Sequence, residues 1–341
     1  MAYRYLGNKA RLLEPILAAV RDRVPSGGRI ADPMCGTATV AAAFATAGYE
    51  VVAADELTFP VTHARSRLLI ETSPEFAALG GYAEALRLLN EAELVEGFFF
   101  QEYSDLGSPR NGSKPRRYFT GDNARRIDAI RELLRHWEEK RILSPLEKGL
   151  LRHDLILAVN RVANIAGTYG YYRSSWNRAS LQPLRLQPSD FSGRRTNGRH
   201  IVYQGKVEDV IAGLECDLVY LDPPYTKRQY AGNYHILETL AVGDEFEPVG
   251  EGGLRDWYAN YSAFCSKRHA LGAFRAVLAR NCARWVLISY SEDGVVPAEP
   301  LMELLTEFGS VSRQDMAVPR FRSNGGRSAT VTEHLYCLEA A

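Results

Sequence analysis

Net charge, long apolar runs and paired cysteines are all missing from this sequence. The 341 residues carry 41 basic and 41 acidic side chains, so the formal net charge is zero. Because there is no run of about 18 uncharged apolar residues and the N-terminus lacks an apolar segment, we expect neither a membrane span nor a secretory signal. The five cysteines are widely spaced and form no Cys-x-x-Cys pair, which argues against disulfides and zinc and favours a reducing, cytoplasmic setting.

The composition that remains is typical of a folded globular protein. Hydrophobic residues make up 46% of the chain and charged residues 24%, enough apolar side chains to bury an ordinary core. The length favours two domains, or one domain with a large insertion. The neutral charge leaves open whether the protein binds nucleic acid, because that depends on how the charges are distributed.

Residues 29–55 have the pattern of a parallel βαβ unit. A short apolar strand at 29–31 ends in Asp32, an alanine-rich helix covers 40–47, and a second strand at 49–54 ends in Asp55. Further strand patterns are 200–203, 217–221, 285–290 and 333–338. Residues 58–199 instead show helical patterns, at 127–140 and 146–166. The sequence thus predicts an α/β domain from 1–57 and 200–341, interrupted by a largely helical insertion at 58–199.

The most informative motif is Asp222-Pro223-Pro224-Tyr225, which directly follows an apolar strand. Two prolines cannot continue a central strand, so the chain must turn at the carboxyl end of the strand, where α/β sheets bind ligands. An aspartate, a carbonyl group and an aromatic ring at one place are suited to a planar heterocycle that carries an amino group. The alternative is a plain strand-to-loop turn.

Three further segments point to a nucleotide-like ligand. Asp32 to Ala38 forms a loop of small residues before a helix, where the backbone can approach a ligand closely, although any tight turn would look similar. Asp55 has the spacing of a carboxylate that accepts hydrogen bonds from ribose hydroxyls; it could instead cap a helix, and Glu56 could take its role. Residues 4–13 form a basic N-terminal segment, which by itself is typical of a solvated surface.

Together these segments resemble the site-specific DNA adenine-N6 methyltransferases of the Dam-like alpha group. Asp222 to Tyr225 matches the catalytic tetrapeptide of that family, and residues 226–240 and 327–336 are also similar to it. Asp32 to Ala38 resembles the family's Asp-x-Phe-x-Gly-x-Gly loop, with Met34 in place of the phenylalanine and Ala38 in place of the second glycine. The resemblance covers the first sixty residues and the chain from about 200 onward. A nicotinamide enzyme is disfavoured, because Gly-x-Gly-x-x-Gly is absent.

The resemblance implies a Rossmann-like methyltransferase sheet that uses S-adenosylmethionine and releases S-adenosylhomocysteine. The implied catalytic residues are Asp222, Pro223, Pro224 and Tyr225. The implied cofactor-binding residues are Tyr5, Asn8, Lys9, Asp32, Met34, Cys35, Gly36, Thr37, Asp55, Glu56, Val207 and Asp222. For Cys35 a small buried residue is the favoured interpretation. No metal site is expected, because the seven histidines have no metal-ligand spacing.

Two basic runs in the insertion raise the question of DNA contact. Residues 110–126 contain six basic residues and one acidic residue, and residues 173–206 contain seven basic residues and one acidic residue. Tyrosines and Trp176 lie beside the second run. Such runs are either phosphate-binding or solvated surface. The residues predicted to bind DNA are Arg173, Trp176, Arg178, Arg194, Arg195, Lys227 and Arg228. Asn160 and Asn164 could belong to this recognition region or to its core.

The expected partners are double-stranded DNA and a cognate restriction endonuclease, with the protein itself a monomer. Alternatives remain open, because the tetrapeptide requires only an exocyclic amine. Cytosine N4 or RNA could be the substrate, or the chain could be a catalytically silent DNA-binding subunit.

Overall fold

The computed structural model describes residues 5–194, 199–319 and 330–341. The strands in these residues are β1 (Arg29–Asp32), β2 (Glu50–Asp55), β3 (Ile201–Gln204), β4 (Leu218–Leu221), β5 (Trp285–Ser291), β6 (Gly309–Pro319) and β7 (Thr330–Ala340). The helices are α1 (Leu13–Arg21), α2 (Thr39–Thr46), α3 (Thr58–Leu68), α4 (Tyr82–Glu91), α5 (Phe98–Tyr103), α6 (Gly121–Glu139), α7 (Pro145–Val162), α8 (Val207–Val210), α9 (Tyr230–Asn233), α10 (His235–Val242), α11 (Ala270–Leu278) and α12 (Ala298–Thr306). None of these helices has the length and apolar character required to cross a membrane.

The strands form one sheet in the order β3-β2-β1-β4-β5-β7-β6. Strands β1 to β5 run parallel to their neighbours, whereas β7 lies antiparallel between β5 and β6. From β1 the chain proceeds to β2 and β3 on one side and later to β4 and β5 on the other. The topological switch point therefore lies between β1 and β4, which is where open α/β sheets bind their ligands.

The apolar pattern of the central strands explains why they lie in the middle of the sheet. All four residues of β4 are buried, as expected for a parallel strand covered on both faces. One core cluster packs β4 and β5 against α11 and α12, and a second packs the sheet against α1 and α2. In the second cluster, Phe44 of α2 contacts the ring of Tyr220 edge to face.

The described residues divide into two compact units. The sheet unit comprises residues 7–71, 193–230 and 260–341, and the helical unit comprises residues up to Leu6 together with 72–192 and 231–259. These limits differ from the expected insertion at 58–199. Helix α3 packs on β2 and β3 within the sheet unit, and α10 packs on α7 within the helical unit. The sequence pattern did not indicate either contact, because both depend on distant segments.

Local signals set the ends of the long helices in the helical unit. Ser144 and Glu147 form a reciprocal capping box, and Pro145 occupies the first turn, so α7 starts within one residue of the predicted position. Helix α6 begins at Gly121, six residues earlier than expected, with the Thr120 side chain accepting a hydrogen bond from the Asn123 N–H. Its first turn is polar and therefore lacks the apolar periodicity on which the sequence-based prediction relied.

Candidate active site

Three carboxylates lie at the carboxyl ends of neighbouring parallel strands. Asp32 ends β1, Asp55 ends β2, and Asp222 directly follows β4. Because β1 pairs with β2 on one side and with β4 on the other, all three residues lie at one edge of the sheet. The predicted Asp-Pro-Pro-Tyr turn thus begins at the switch point, as the sequence implied.

The loop after β1 is tied to the end of β2 by hydrogen bonds. The Gly36 N–H donates to Asp55 Oδ2 at 3.0 Å, and the Cys35 N–H donates to the Ala54 carbonyl at 2.9 Å. Gly36 has a φ of +49° and Ala38, at the start of α2, a φ of +54°. Ala38 thus adopts a left-handed conformation. The second glycine of the similar loop, which Ala38 replaces, would adopt it without strain. The turn is kept despite that substitution.

A buried lysine forms an ion pair with the carboxylate of the tetrapeptide. Lys9 Nζ lies 2.8 Å from Asp222 Oδ1 and 3.9 Å from Glu333 Oε2. The Lys9 side chain is 3% exposed, whereas that of Asp222 is 19% exposed, so the aspartate alone of this pair retains appreciable contact with solvent. The ammonium also donates to the Gly7 carbonyl at 3.3 Å.

Burial and charge act in opposite directions on this pair. Burial alone would lower the pKa of Lys9, but Asp222 and Glu333 outweigh it, so the pKa of Lys9 is raised and the ammonium stays charged. Burial raises the pKa of Asp222 to about 6, with the neighbouring Glu333 adding to the rise and Lys9 opposing it. Asp222 is therefore ionised at neutral pH, but it binds a proton more tightly than an ordinary aspartate does.

Asp32 is the most deeply buried carboxyl group at this edge. The residue is 1% exposed, and its Oδ1 has no hydrogen-bond partner among the described residues. Burial raises its pKa well above the ordinary value, and the charges of Asp222 and Asp55 raise it further. A buried polar atom without a partner is costly, which makes Asp32 a candidate for contact with a ligand.

The ring of Tyr225 is held by contacts on several sides. It packs edge to face against Tyr290 at 6.1 Å between centroids, and Lys9 Nζ lies 5.3 Å from its centroid. Its carbonyl accepts a hydrogen bond from the Val295 N–H at 2.9 Å. Gly7, with a φ of +79°, lies so close that a Cβ there would stand 3.5 Å from the ring. These contacts fix the direction in which Tyr225 faces.

The other residues predicted to bind a cofactor differ in their surroundings. Met34 is half-buried against the core, while Cys35, Thr37 and Val207 are buried. Asn8 is exposed and accepts a hydrogen bond from the Ala10 N–H at 2.9 Å, which shapes the N-terminal turn.

Two more of these residues have contacts that the sequence did not indicate. Glu56 contacts Asn260 at 3.2 Å and Lys206 at 3.6 Å. Tyr5 belongs to the helical unit, where its ring stacks on Tyr234 at 4.7 Å.

The residues predicted to bind DNA differ in their exposure and contacts. Exposed side chains belong to Arg173, Arg178, Lys227 and Arg228, and Trp176 is half-buried. Arg194 is different, because its guanidinium donates to the backbone carbonyls of Ser66 at 2.5 Å and Ile70 at 3.2 Å. Arg195 and residues 327–329 of the C-terminal similarity lie outside the described residues.

The first basic run does not form a continuous cationic surface. Arg116 is fully buried, and its guanidinium lies 2.7 Å from Glu102 Oε2, which is also fully buried. Arg110 pairs with Glu245 at 3.1 Å, and Arg125 pairs with Glu96 at 2.7 Å. Interpretation of this run as free surface charge is wrong for these residues, because distant carboxylates neutralise them.

Asn160 and Asn164 are core residues of the helical unit. Both are buried, and the Asn160 amide donates to the Tyr169 hydroxyl at 3.1 Å. The Asn164 amide donates to the carbonyls of Arg117 and Arg173, at 3.0 and 3.2 Å. Asn164 thereby orders the segment that carries Arg173 and Trp176.

Glu333 is a site residue that reasoning from the sequence missed. It lies on β7, is 5% exposed and pairs with the buried Lys9. The only signal was its position in an apolar strand, where a lone glutamate is rare unless it has a partner. The seven-stranded sheet, with helices packed on both faces and the Asp-Pro-Pro-Tyr turn at its switch point, confirms the predicted α/β fold class.

The family follows from comparison with known proteins. The family model described as D12 class N6 adenine-specific DNA methyltransferase matches residues 5–284. The type II methyltransferase M.FokI of Planomicrobium okeanokoites is 32% identical over 90% of this chain and 47% of its own length. M.NlaIII of Neisseria lactamica is 30% identical over 98% of each chain, and the modification methylase StsI of Streptococcus sanguinis is 28% identical over 98% of this chain and 51% of its own length.

This chain thus spans about half the length of M.FokI and StsI, and nearly all of M.NlaIII. Since the family model covers most of the sequence, the chain belongs to the D12 class of N6 adenine-specific DNA methyltransferases. The resemblance drawn from the sequence motifs is thereby confirmed.

Proposed function

We propose that this protein transfers a methyl group from S-adenosylmethionine to the N6 amine of adenine in duplex DNA, at a specific sequence. Family membership supports the reaction class. The structural observation that carries the proposal is the Asp222 carboxylate at the switch point of the sheet, paired with the buried Lys9 at 2.8 Å. A silent DNA-binding subunit would have no need to keep a buried ion pair at this position.

The residues around the switch point suit S-adenosylmethionine. Asp32 Oδ1 is a buried acceptor without a partner among the described residues, and the 32–38 loop is tied to the end of β2. Asp55 and Glu56 would accept hydrogen bonds from ribose hydroxyls, and Lys9 would lie near the methionine portion. The cofactor supplies an electrophilic methyl group on its sulfonium sulfur. Tyr5, Asn8, Met34, Cys35, Gly36, Thr37 and Val207 remain proposed contacts.

Asp222 and Pro223 would activate the target amine. The lone pair of adenine N6 is delocalised into the ring, so the nitrogen is a weak nucleophile. Asp222 and the Pro223 carbonyl would accept hydrogen bonds from its two N–H groups and draw the nitrogen toward tetrahedral geometry. Lys9 holds Asp222 Oδ1 at 2.8 Å, which fixes the carboxylate before the base arrives. Such preorganised positioning accounts for most of the catalysis proposed here.

Tyr225 would stack on the adenine after it leaves the duplex, with Pro224 shaping the turn between them. Extruding a base costs about a few kcal/mol, which stacking and phosphate contacts would offset. Tyr225 is suited to this role because Tyr290 and Val295 fix its ring and backbone. The exposed Lys227 and Arg228 follow within three residues, where they would contact phosphates.

Target recognition would belong to the insertion at 58–199. In the helical unit, the exposed Arg173 and Arg178 with the half-buried Trp176 form a cationic and aromatic segment that Asn164 orders. Arg194 and Arg195 were predicted to contribute, but the bonds of Arg194 to backbone carbonyls favour a structural role for it. A cognate endonuclease and a monomeric state complete the proposal.

The test is methyl transfer to mixed-sequence duplex DNA from methyl-labelled S-adenosylmethionine, beside an Asp222→Ala control. The DNA is digested to nucleosides, and label is expected in N6-methyladenine with the wild-type protein alone. Label in N4-methylcytosine would overturn the choice of base. Cofactor binding without label, for any duplex and any RNA supplied, would overturn the proposed reaction. Absence of cofactor binding would favour a silent DNA-binding protein.

A further inference from the structure

Glu333 is a buried carboxylate that faces the candidate active site. It lies opposite Ser291 on β5, at the carboxyl end of that strand and therefore at the same edge of the sheet as Asp222. The residue is 5% exposed, and its Oε2 has no hydrogen-bond partner among the described residues. Among the described ion pairs, its partner is Lys9 Nζ, at 3.9 Å.

Lys9 is held from three separate segments of the sheet unit. Three oxygens of the described residues lie near Lys9 Nζ, and the nearer two are at hydrogen-bond distance. These are Asp222 Oδ1 at 2.8 Å, the Gly7 carbonyl at 3.3 Å and Glu333 Oε2 at 3.9 Å. One cation is thus shared between two carboxylates, so the ionised cluster keeps a negative charge that Lys9 cannot cancel.

We propose that Glu333 is a positioning residue for the methyl transfer, which draws Lys9 partly away from Asp222 and so keeps Asp222 a strong hydrogen-bond acceptor. This inference rests on the proposed function. A carboxylate that is fully neutralised by a lysine accepts more weakly from a neutral amine than one that shares its lysine. Glu333 thereby acts on the target amine through Lys9 and Asp222, without touching it.

Other charged groups near Asp222 act in the same setting. Lys9 favours its ionised form, and Glu333 disfavours it. Asp32 and Tyr220 are also within electrostatic reach, since burial raises the pKa of both groups and the charge of Asp222 raises it further. Among the described ion pairs, Lys9 contacts two carboxylates, Asp222 and Glu333.

The test compares Glu333→Gln with Glu50→Gln. Glu50 is a buried, ion-paired glutamate of the same sheet, on β2, bound to Arg29 and Arg199 rather than to Lys9. The Asp222 carboxyl is titrated by carbon-13 NMR of aspartate-labelled protein, and its resonance is assigned by its loss in Asp222→Asn. Glu333→Gln should move the Asp222 midpoint downward by roughly one pH unit, and Glu50→Gln should leave it unchanged.

The kinetic counterpart is the acid limb of kcat/KM for methyl transfer. It should move to lower pH in Glu333→Gln by the same amount, and kcat on the plateau should fall by about tenfold while KM for DNA changes little. Glu333→Asp, which keeps the charge, should restore the wild-type midpoint and serves as the second variant should the glutamine variant not fold.

An unchanged or higher Asp222 midpoint in Glu333→Gln would overturn the inference. So would a midpoint in Glu333→Asp that has dropped as far as in the glutamine variant, because the charge would then not be responsible. Wild-type protein that methylates no DNA, with the NMR shift present, would instead overturn the proposed function and leave the Glu333–Lys9–Asp222 coupling standing.

Discussion

Replacing Asp222 with asparagine should remove activity and make the stability of the protein less dependent on pH. The folded-state pKa of about 6 lies above the ordinary value of 3.8, so the folded protein binds this proton more tightly than the unfolded chain does. Asp222 therefore contributes most to stability below pH 3.8, and that contribution is lost as the pH rises to 6. Asparagine, which does not titrate, should remove this dependence.

The size of the effect follows from the difference in pKa. At about 1.4 kcal/mol per pKa unit, the rise from 3.8 to about 6 corresponds to about 3 kcal/mol of lost stability above pH 6. About 2 kcal/mol of this should fall between roughly pH 4.5 and pH 7. The side chain is 19% exposed, so solvent screening reduces the value only modestly.

Denaturant unfolding of wild type and Asp222→Asn at the two pH values measures the effect. The stability difference between them should change by about 2 kcal/mol in favour of the variant on going from acid to neutral pH. Glu50→Gln is the control with the opposite sign, because Arg199 and Arg29 lower the pKa of Glu50 and its stabilisation is lost as the pH falls. An Asp222→Asn difference that is equal at both pH values would refute the reasoning.

Three further experiments test the site, the basic segments and the helical core. Gly7→Ala and Gly48→Ala both force alanine into a left-handed backbone, so each should lower the free energy of unfolding by about 1 kcal/mol. Of the two glycines only Gly7 lies against Tyr225, so only its variant should lose kcat/KM. An equal loss in the Gly48 variant would count against the site. Arg178→Ala should weaken DNA binding and reduce its salt dependence by about one ion, whereas Arg194→Ala should lower thermal stability without that change in slope. Arg116→Met should cost about 3–5 kcal/mol in unfolding experiments, because its buried carboxylate partner loses its counterion.

Much of the sheet unit could be predicted from local sequence. Strands β1 and β2 and helix α2 begin and end within about one residue of the predicted limits, because their apolar runs are short and bounded by Asp32, Gly48 and Asp55. The position of the tetrapeptide also followed from sequence, since two prolines must end a central strand. Strand β6 was missed, because most of its residues are exposed and its pattern lacks apolar alternation.

The charged residues were harder to interpret. A run of arginines has the same sequence pattern whether its side chains contact phosphate, solvent or a buried partner. Arg116 pairs with Glu102 within its own unit, and Arg194 donates to the carbonyls of Ser66 and Ile70 at the C-terminal end of α3, more than a hundred residues away in sequence. Neither partner carries a local signal, because ion pairs depend on chain crossings that no spacing rule describes.

By itself the sequence determined which groups are available at the edge of the sheet: the carboxylates of Asp222 and Asp55 and the ring of Tyr225. The tertiary structure decided how those groups are tuned. Lys9 and Glu333 lie near opposite ends of the chain, and only the antiparallel return of β7 beside β5 brings Glu333 to the strand edge where Asp222 lies. A pKa depends on burial and on charges a few ångströms away. Those distances exist only once the sheet has formed.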